Sequence, residues 1–331
     1  MVELISPKNG ETVSQKTDVM KLFEKDIEAN ASVWGWVAFA ADTDGICTVP
    51  EPVRFSWKGS GGDSLFVLSE NEDLSDPVLS CDAVSYCEAY NLLLGKRYYW
   101  KAGDSCVGSF MTEDTPPRWI RAEGTWNVRD IGGYDAAGRK RVRQGMIFRG
   151  MELDCAENNN FITESGRAVL HDQLGIRCDL DLRSSRDGNK FTGKSPIGPD
   201  VRYIRIGIDP YCDFYKDADT VRMVFEALAD PDNYPMYIHC SWGSDRTGTL
   251  AAAIETLIGM DDEDICADYE QSTLAFTDCH RDRGGWTWQL FYKEMEEFGA
   301  DSFERFYNRT IGCGVPRGHI EALQSIMLEN R

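Results

Sequence analysis

The spacing of apolar residues along the 331-residue chain changes near residue 115. Before that point, apolar residues stand two positions apart in several runs, with glycine-containing turns between them. These runs include Val53, Phe55 and Trp57, then Leu65 and Val67, then Tyr98 and Trp100. A period of two is typical of strands with one buried face. We therefore expect residues 1–115 to be mainly β, with one short helix near residues 19–29.

After residue 115, apolar residues recur at helical spacing in stretches that alternate with strand-like runs. One stretch is Val221, Val224, Phe225 and Leu228, and another is Leu290, Phe291, Met295 and Phe298. Strands are expected within residues 175–184, 201–206 and 236–238. Strands that alternate with helices predict an α/β fold, with a central, mostly parallel sheet flanked by helices.

The segment between these two regions, residues 112–117, reads as a linker because Pro116 and Pro117 cannot donate backbone hydrogen bonds. We therefore predict an all-β sandwich domain over residues 1–115 and an α/β domain over residues 116–331. Residues 92–110 carry a turn at Gly95, a run of aromatic residues and a closing strand. This stretch resembles the late strands of a fibronectin type III or immunoglobulin-like sandwich. The resemblance implies contact with a protein partner, and a purely structural appendage is the open alternative.

The charge balance of the chain restricts its partners. The formal net charge is −20, which argues against nucleic acid and anionic membranes. No apolar run approaches the ~20 residues of a membrane span. The first residues lack the basic and apolar segments of a signal peptide, so a cytoplasmic location is expected. A chain whose leader had been removed would look the same, so export stays open.

The eleven cysteines include no Cys-x-x-Cys pair. Four lie in the first region, at Cys47, Cys81, Cys87 and Cys106. Disulfides are expected among them in an exported protein, and reduced thiols in a cytoplasmic one. The sequence leaves both alternatives open.

One stretch, residues 237–248, combines a nucleophile with an anion-binding turn. Cys240 follows an apolar run and precedes a helical one, so it is expected where a buried strand turns into a helix. Such a turn directs backbone N–H groups and the positive end of a helix dipole to one point, which favours a thiolate. Arg246 adds a rigid fork of donors that suits phosphate oxygens. His239 is expected to fix the position of Cys240, and Thr247 offers a hydroxyl to the thiolate when it leaves.

The pattern His239-Cys240-x-x-Gly243-x-x-Arg246-Thr247-Gly248 resembles the signature loop of the protein tyrosine phosphatases. The resemblance implies attack of the Cys240 thiolate on phosphorus and hydrolysis of a phosphocysteine by water. Phosphate binding is expected from Ser241, Trp242, Gly243, Ser244, Asp245 and Arg246. No metal or organic cofactor is expected, because the enzyme supplies its own nucleophile.

Residues 127–133, Asn-x-Arg-Asp-x-Gly-Gly, resemble a bacterial branch of that family, whose members act on phosphotyrosine or on phosphoinositides. Arg129 and Asp130 are expected to support the active site from a turn with an internal ion pair. The branch usually has lysine where this chain has Ser244, which weakens the case for multiply phosphorylated substrates. Arg281 and Arg283 are expected in a solvated loop, with extra charge at the site as the alternative.

A departing alkoxide or phenoxide needs a general acid, and two aspartates fit. We place Asp245 first, because it lies inside the loop, where the resembled branch also carries an aspartate. Asp209 lies 31 residues before Cys240, as in many other relatives.

Arg149 and Arg183 are expected to be solvated, with contact to the site as the alternative. We predict a phosphatase for phosphate monoesters, with a catalytically inactive phosphate-binding or adhesion protein as the rival.

Overall fold

A computed structural model describes residues 2–29, 36, 46–59, 64–155, 160–187, 191–209, 212–275 and 281–331. The chain divides into two compact units, Met1–Asp18 with Pro50–Arg118 and Val19–Val49 with Trp119–Arg331. This division differs from the predicted ranges because residues 19–49 group with the second unit. The predicted short helix is confirmed as Asp18–Glu28 (α1). Its apolar face packs with Trp119 and Leu274, both in the second unit, which explains the grouping.

The described part of the first unit is built from strands. They are Glu3–Ser6 (β1), Glu11–Val13 (β2), Val53–Lys58 (β3), Ser64–Ser69 (β4), Leu79–Ala83 (β5), Tyr86–Ala89 (β6), Arg97–Ala102 (β7) and Gly108–Thr112 (β8). One sheet has the order β1-β3-β6, and a second has the order β2-β8-β7-β4-β5. The mainly β character predicted for this region is therefore present.

Aromatic side chains form the core of the first unit. The ring centroid of Phe55 on β3 lies 4.9 Å from Phe66 on β4 and 5.1 Å from Trp100 on β7. On β4 the period of two is correct, but Phe66 is buried whereas Leu65 is 55% exposed. The core therefore takes in the aromatic ring of Phe66 and leaves the side chain of Leu65 at the surface.

The second unit mixes helices and strands. Its strands are Arg118–Trp119 (β9, at the division), Arg129–Asp130 (β10), Asp135–Ala136 (β11), Lys140–Val142 (β12), Ile147–Gly150 (β13), Asp154–Cys155 (β14), Asn160–Phe161 (β15), Cys178–Asp181 (β16), Arg202–Arg205 (β17), Met236–His239 (β18) and Leu328–Asn330 (β19). Its helices after α1 are Glu164–Ala168 (α2), Ala218–Ala229 (α3), Asp245–Leu257 (α4), Asp262–Gln271 (α5), Trp286–Lys293 (α6), Ser302–Gly312 (α7) and Arg317–Met327 (α8).

The main sheet of the second unit has the order β17-β16-β18-β13-β10-β9. β17, β16, β18 and β13 are parallel, and β10 is antiparallel to β13. Neighbouring residues Ile147 and Phe148 belong to different apolar clusters, so both faces of the sheet are covered. Cys178–Asp181 is accordingly buried throughout, as is typical of a central parallel strand. The α/β prediction is confirmed for this unit.

The two predicted helical stretches have different outcomes. Val221, Val224, Phe225 and Leu228 are all fully buried on α3, as the spacing predicts. The second stretch is not one helix, because α6 ends at Lys293 and a separate turn of 3₁₀-helix, Glu296–Phe298, follows. Leu290 is 44% exposed and lies outside the expected apolar face. Within the described ranges, every helix is too short or too polar to cross a bilayer.

Candidate active site

The predicted turn joins β18 to α4. β18 ends at His239, α4 begins at Asp245, and Cys240 between them is only 3% exposed. Gly243 has φ +65°, a conformation that favours glycine. A Cβ at this position would lie 2.3 Å from the carbonyl oxygen of Gly150, so the space also requires glycine.

The carbonyl groups of this turn are held from behind by buried side chains. Arg149 Nη2 donates to the Gly243 carbonyl at 2.9 Å, and Asn127 Nδ2 donates to the Trp242 carbonyl at 3.2 Å. Both donor side chains belong to residues with no exposed surface. Because the N–H and C=O of a planar trans peptide point in opposite directions, the corresponding N–H groups face away from these donors. The turn is thereby arranged to present N–H groups on its other side.

Asp268 on α5 joins the two arginines behind the turn. Arg149 Nη1 pairs with Asp268 Oδ2, and Arg129 Nε pairs with Asp268 Oδ1 at 2.7 Å. Arg129 Nη1 also donates to Asn127 Oδ1 at 2.6 Å. Burial opposes the charge of Asp268, but the two guanidinium groups outweigh it and hold its pKa below its ordinary value. We call Asn127, Arg129, Arg149 and Asp268 the buried network.

Two expectations about these residues are wrong. Arg149 is not solvated, because it is fully buried and its Nη1 and Nη2 groups bind Asp268 and loop carbonyls. Arg129 pairs with Asp268, whereas the Asp130 carboxylate accepts from the backbone N–H of Gly132 at 2.8 Å and of Gly145 at 2.6 Å. Neighbouring residues of a strand point to opposite faces, which explains why the expected ion pair within the turn is not the one formed.

Arg183 is also buried, contrary to expectation. Its guanidinium is 1% exposed and pairs with Asp181 at 2.7 Å, Glu152 at 3.0 Å and Asp154 at 2.6 Å. Three carboxylates compensate the cost of burying its charge.

The guanidinium of Arg246 is held by a carboxylate that the sequence analysis missed. Asp187 Oδ2 lies 2.7 Å from Nη1 and Oδ1 lies 2.7 Å from Nη2, and Ser241 Oγ donates to Asp187 Oδ1 at 3.2 Å. Burial acts against the charge of Asp187, but the pairing with Arg246 lowers its pKa. A signal was present in the sequence, since Asp187 follows β16, and the carboxyl ends of neighbouring parallel strands β16 and β18 lie at one edge of the sheet.

His239 places a second positive charge next to Cys240. Its Nε2 lies 3.0 Å from Asp179 Oδ1, and its Nδ1 lies 3.3 Å from the Cys240 carbonyl oxygen. Burial lowers the pKa of His239, but Asp181 and Asp179 outweigh it and raise the pKa to about 9. The two carboxylates thus favour the charged form of His239, whose ring is held against the backbone at Cys240.

Two hydroxyl groups of the turn differ in their partners. Ser244 Oγ donates to the Trp242 carbonyl at 3.2 Å, so this side chain turns back onto the loop. The Thr247 hydroxyl is fully buried and has no hydrogen-bond partner within the described part of the protein. A buried hydroxyl without a partner costs free energy unless a ligand or reaction intermediate uses it.

The two candidate acids lie in different surroundings. Arg281 holds Asp245 through contacts of 2.7 Å to each carboxylate oxygen, and these side chains are only 11% and 12% exposed. Asp209 pairs with Arg186 at 2.8 Å, but Arg186 is 79% exposed and Asp209 30% exposed. Arg186, which binds Asp209, is the residue before Asp187, which binds Arg246. The segment that contains both residues therefore contacts Asp209 and Arg246.

The expected solvated loop around Arg281 is wrong. The Thr273 hydroxyl accepts from the Arg281 N–H at 2.9 Å and donates to its carbonyl at 2.7 Å, which fixes the backbone. Arg283 pairs with Glu270 at 3.0 Å and also with Glu263. Arg281 therefore places its guanidinium beside the turn, against the carboxylate of Asp245.

Comparison with known proteins agrees with this geometry. Residues 120–306 match the model of the tyrosine phosphatase family. The triple specificity protein phosphatase PtpB of Mycobacterium tuberculosis is 28% identical over 196 residues, which cover 45% of this chain and 67% of that protein. A Cupriavidus necator protein named as a tyrosine-protein phosphatase is 24% identical over 172 residues, covering 44% of this chain and 60% of its own length. The chain thus spans roughly two thirds of these relatives.

Among solved structures, TpbA of P. aeruginosa matches with a TM-score of 0.34 and 17% identity, covering 51% of this chain and 87% of that one. The fold, the turn and the sequence matches together define a phosphoric monoester hydrolase of the protein tyrosine phosphatase type. Since the family model covers more than half of the chain, this protein belongs to the tyrosine phosphatase family.

Proposed function

We propose that this chain hydrolyses phosphate monoesters through a phosphocysteine formed on Cys240, with phosphotyrosine as the first substrate class and phosphoinositides as the second. The observation that carries the proposal is the prearranged turn. Cys240 stands at its start, the buried network holds its carbonyls from behind, and Arg246 is held in place at its end. Donors fixed before the substrate arrives need no reorganisation during the reaction.

The steps follow from these positions. The substrate phosphate accepts from the N–H groups of the turn, residues 241–246, and from Arg246. The Cys240 thiolate attacks phosphorus, and the alcohol or phenol leaves with a proton from the acid. Water then hydrolyses the phosphocysteine, and the Thr247 hydroxyl donates to the thiolate as it departs. Apart from this water, the side chains and backbone N–H groups of the chain supply the groups that these steps use.

A phosphocysteine is directly testable. Tryptic cleavage after Arg222 and Arg246 gives a peptide of residues 223–246 with one cysteine, Cys240. A rapid denaturing quench during turnover of a phosphotyrosyl peptide should add the mass of one phosphoryl group to it. Running the same quench with a phosphoinositide ranks the two substrate classes. A peptide that stays unmodified while phosphate binds would favour the inactive binding protein instead.

The contacts favour Asp209 as the general acid, with Asp245 as the alternative. An acid must carry a proton before the leaving group departs. Both carboxylate oxygens of Asp245 are taken up by the mostly buried guanidinium of Arg281, which leaves them poorly placed to reach a leaving group. The pair between Asp209 and Arg186 is exposed to solvent and therefore weak.

Asp209→Asn should lower kcat for phenyl phosphate, a poor leaving group, by about 10²-fold. The loss should be much smaller for p-nitrophenyl phosphate, whose leaving group needs no proton. Asp245→Asn is the matched variant and should affect both substrates alike, because it disturbs the turn and not the proton transfer. Steady-state kinetics with both esters measures this. Leaving-group dependence in Asp245→Asn alone would assign the acid to Asp245.

We infer further that the first unit is a fibronectin type III or immunoglobulin-like sandwich that contacts a protein partner. Its support is the core that β3, β4 and β7 share through Phe55, Phe66 and Trp100.

A further inference from the structure

Two cysteines of the first unit lie unusually close together. Cys81 is in β5 and Cys87 is in β6, and their Sγ atoms are 3.3 Å apart. Both residues are half-buried. A disulfide has an S–S distance of about 2.0 Å, so only a small shift of the two side chains separates these thiols from a bond.

The aromatic core fixes both cysteines in these positions. Cys81 is the register partner of Phe66 on β4, and Cys87 is the register partner of Phe55 on β3. The rings of Phe55 and Phe66 are in contact, with centroids 4.9 Å apart. The approach of the two thiols therefore follows from strand register and packing, not from a freely rotating surface side chain.

The two strands belong to different sheets and lie at their edges. β5 ends the order β2-β8-β7-β4-β5, and β6 ends the order β1-β3-β6. An edge strand has hydrogen-bonding groups without a neighbouring strand, and it is the part of a sheet that opens most readily. A covalent link here would join the last strand of one sheet to the last strand of the other.

We propose that Cys81 and Cys87 form a disulfide that ties the two sheets of the first unit together. The oxidant is a small disulfide, such as oxidised glutathione. The thiolate of Cys81 attacks one of its sulfurs and releases one glutathione thiolate. Cys87 then loses its proton to solvent and attacks the sulfur of Cys81, which forms the protein disulfide and releases the second glutathione. Two protein thiols are oxidised, and one disulfide is reduced to two thiols.

The order of the two steps follows from the surroundings of Cys87. Burial raises its pKa to about 12, and a hydrogen bond with Cys81 adds to this effect. Cys87 is therefore the poorer first nucleophile and the natural second one, because it acts only when the Cys81 sulfur is already bonded and adjacent.

Peptide mass spectrometry can detect this disulfide directly. Tryptic cleavage after Lys58 and Lys96 releases residues 59–96, whose two cysteines are Cys81 and Cys87. The full chain is equilibrated in glutathione buffers of increasing oxidised fraction, denatured, alkylated and digested without reduction. We expect this peptide to carry two alkyl groups in reducing buffer, and none, with the mass of two hydrogens lost, in oxidising buffer.

Variants separate this bond from general oxidation. In Cys81→Ser, the remaining Cys87 should stay alkylated or carry one glutathione. Cys106→Ser removes an exposed thiol of the same unit and should leave the result for residues 59–96 unchanged. Two glutathione adducts on this peptide, a link to another peptide, or two alkyl groups under conditions that oxidise Cys106 would each overturn the proposal. Turnover by Cys240 is not part of the readout, so a failed phosphatase assay does not affect it.

Discussion

Replacing Cys240 with serine is expected to abolish hydrolysis of p-nitrophenyl phosphate while the protein still folds and binds phosphate. The loss should be on the order of 10⁴-fold or more, as for other hydrolases that lose their nucleophile. A serine hydroxyl keeps its proton at neutral pH, so it is a far weaker nucleophile than the thiolate that the mechanism requires. The N–H groups of the turn and Arg246 remain, so binding of phosphate should persist. Steady-state kinetics and calorimetric titration with inorganic phosphate measure the two quantities.

The matched control for this variant is Cys106→Ser, the same chemical change at an exposed thiol of the first unit. It should leave kcat unchanged. If Cys240→Ser keeps its turnover in the presence of a metal chelator, the covalent mechanism is wrong. If it loses phosphate binding as well, the turn depends on the sulfur for its shape.

Replacing Asp268 with asparagine is expected to lower the free energy of unfolding of the second unit by about 3–5 kcal/mol. The variant leaves Arg129 and Arg149 buried without the carboxylate that both share. Hydrogen exchange of residues 236–257 under native conditions measures the effect in this unit. The kcat should fall as well, because Arg149 loses the partner that directs it at the Gly243 carbonyl.

Asp262→Asn is the control for this prediction, since Asp262 lies on the same helix and is exposed. It should change the free energy of unfolding by no more than about 1 kcal/mol, because the asparagine oxygen can still accept from Ser302 Oγ and only the first-turn charge is lost. A loss below about 1 kcal/mol in Asp268→Asn would mean that the buried network is not what holds the turn.

The sequence predicted the local part of the site well. The order of strand, turn and helix around Cys240 follows from apolar spacing and glycine, which act over a few residues. The α3 helix and the strand β3 were equally predictable, because each has a clear period and one core-facing side. The buried face of β4 was not, because Leu65 and Phe66 are both apolar and only the packed core chooses between them.

The supporting residues were not predictable in the same way. Arg129 meets Asp268 139 positions later, and Arg246 meets Asp187 59 positions earlier. The distance in sequence between these residues does not record their pairing, and Asp187 could be found only from its place after a parallel strand next to β18. Arginine is usually exposed, so Arg149 and Arg183 were predicted to be solvated. Their carboxylate partners, which allow them to be buried, are distant in sequence or were not recognised as partners.

The grouping of residues 19–49 with the second unit was unpredictable for the same reason, because it depends on contacts with residues far away in the sequence. The pattern of α1 shows an amphipathic helix, but it does not show which core receives the apolar face. Met20 and Phe23 pack with Trp119 and Leu274, so this segment belongs to the second unit although it precedes most of the first unit in sequence.

The buried network also bears on how such an enzyme changes over evolutionary time. Arg149, Asn127 and Asp268 shape the turn from behind without a place in the chemistry itself. A substitution at any of these residues would lower both the stability of the fold and the turnover number. Natural selection therefore cannot change one of these two properties there without changing the other. Diversification towards new substrates is therefore expected at exposed positions near the site, such as Arg186, whose side chain is 79% exposed, because a change in charge there leaves the interior intact.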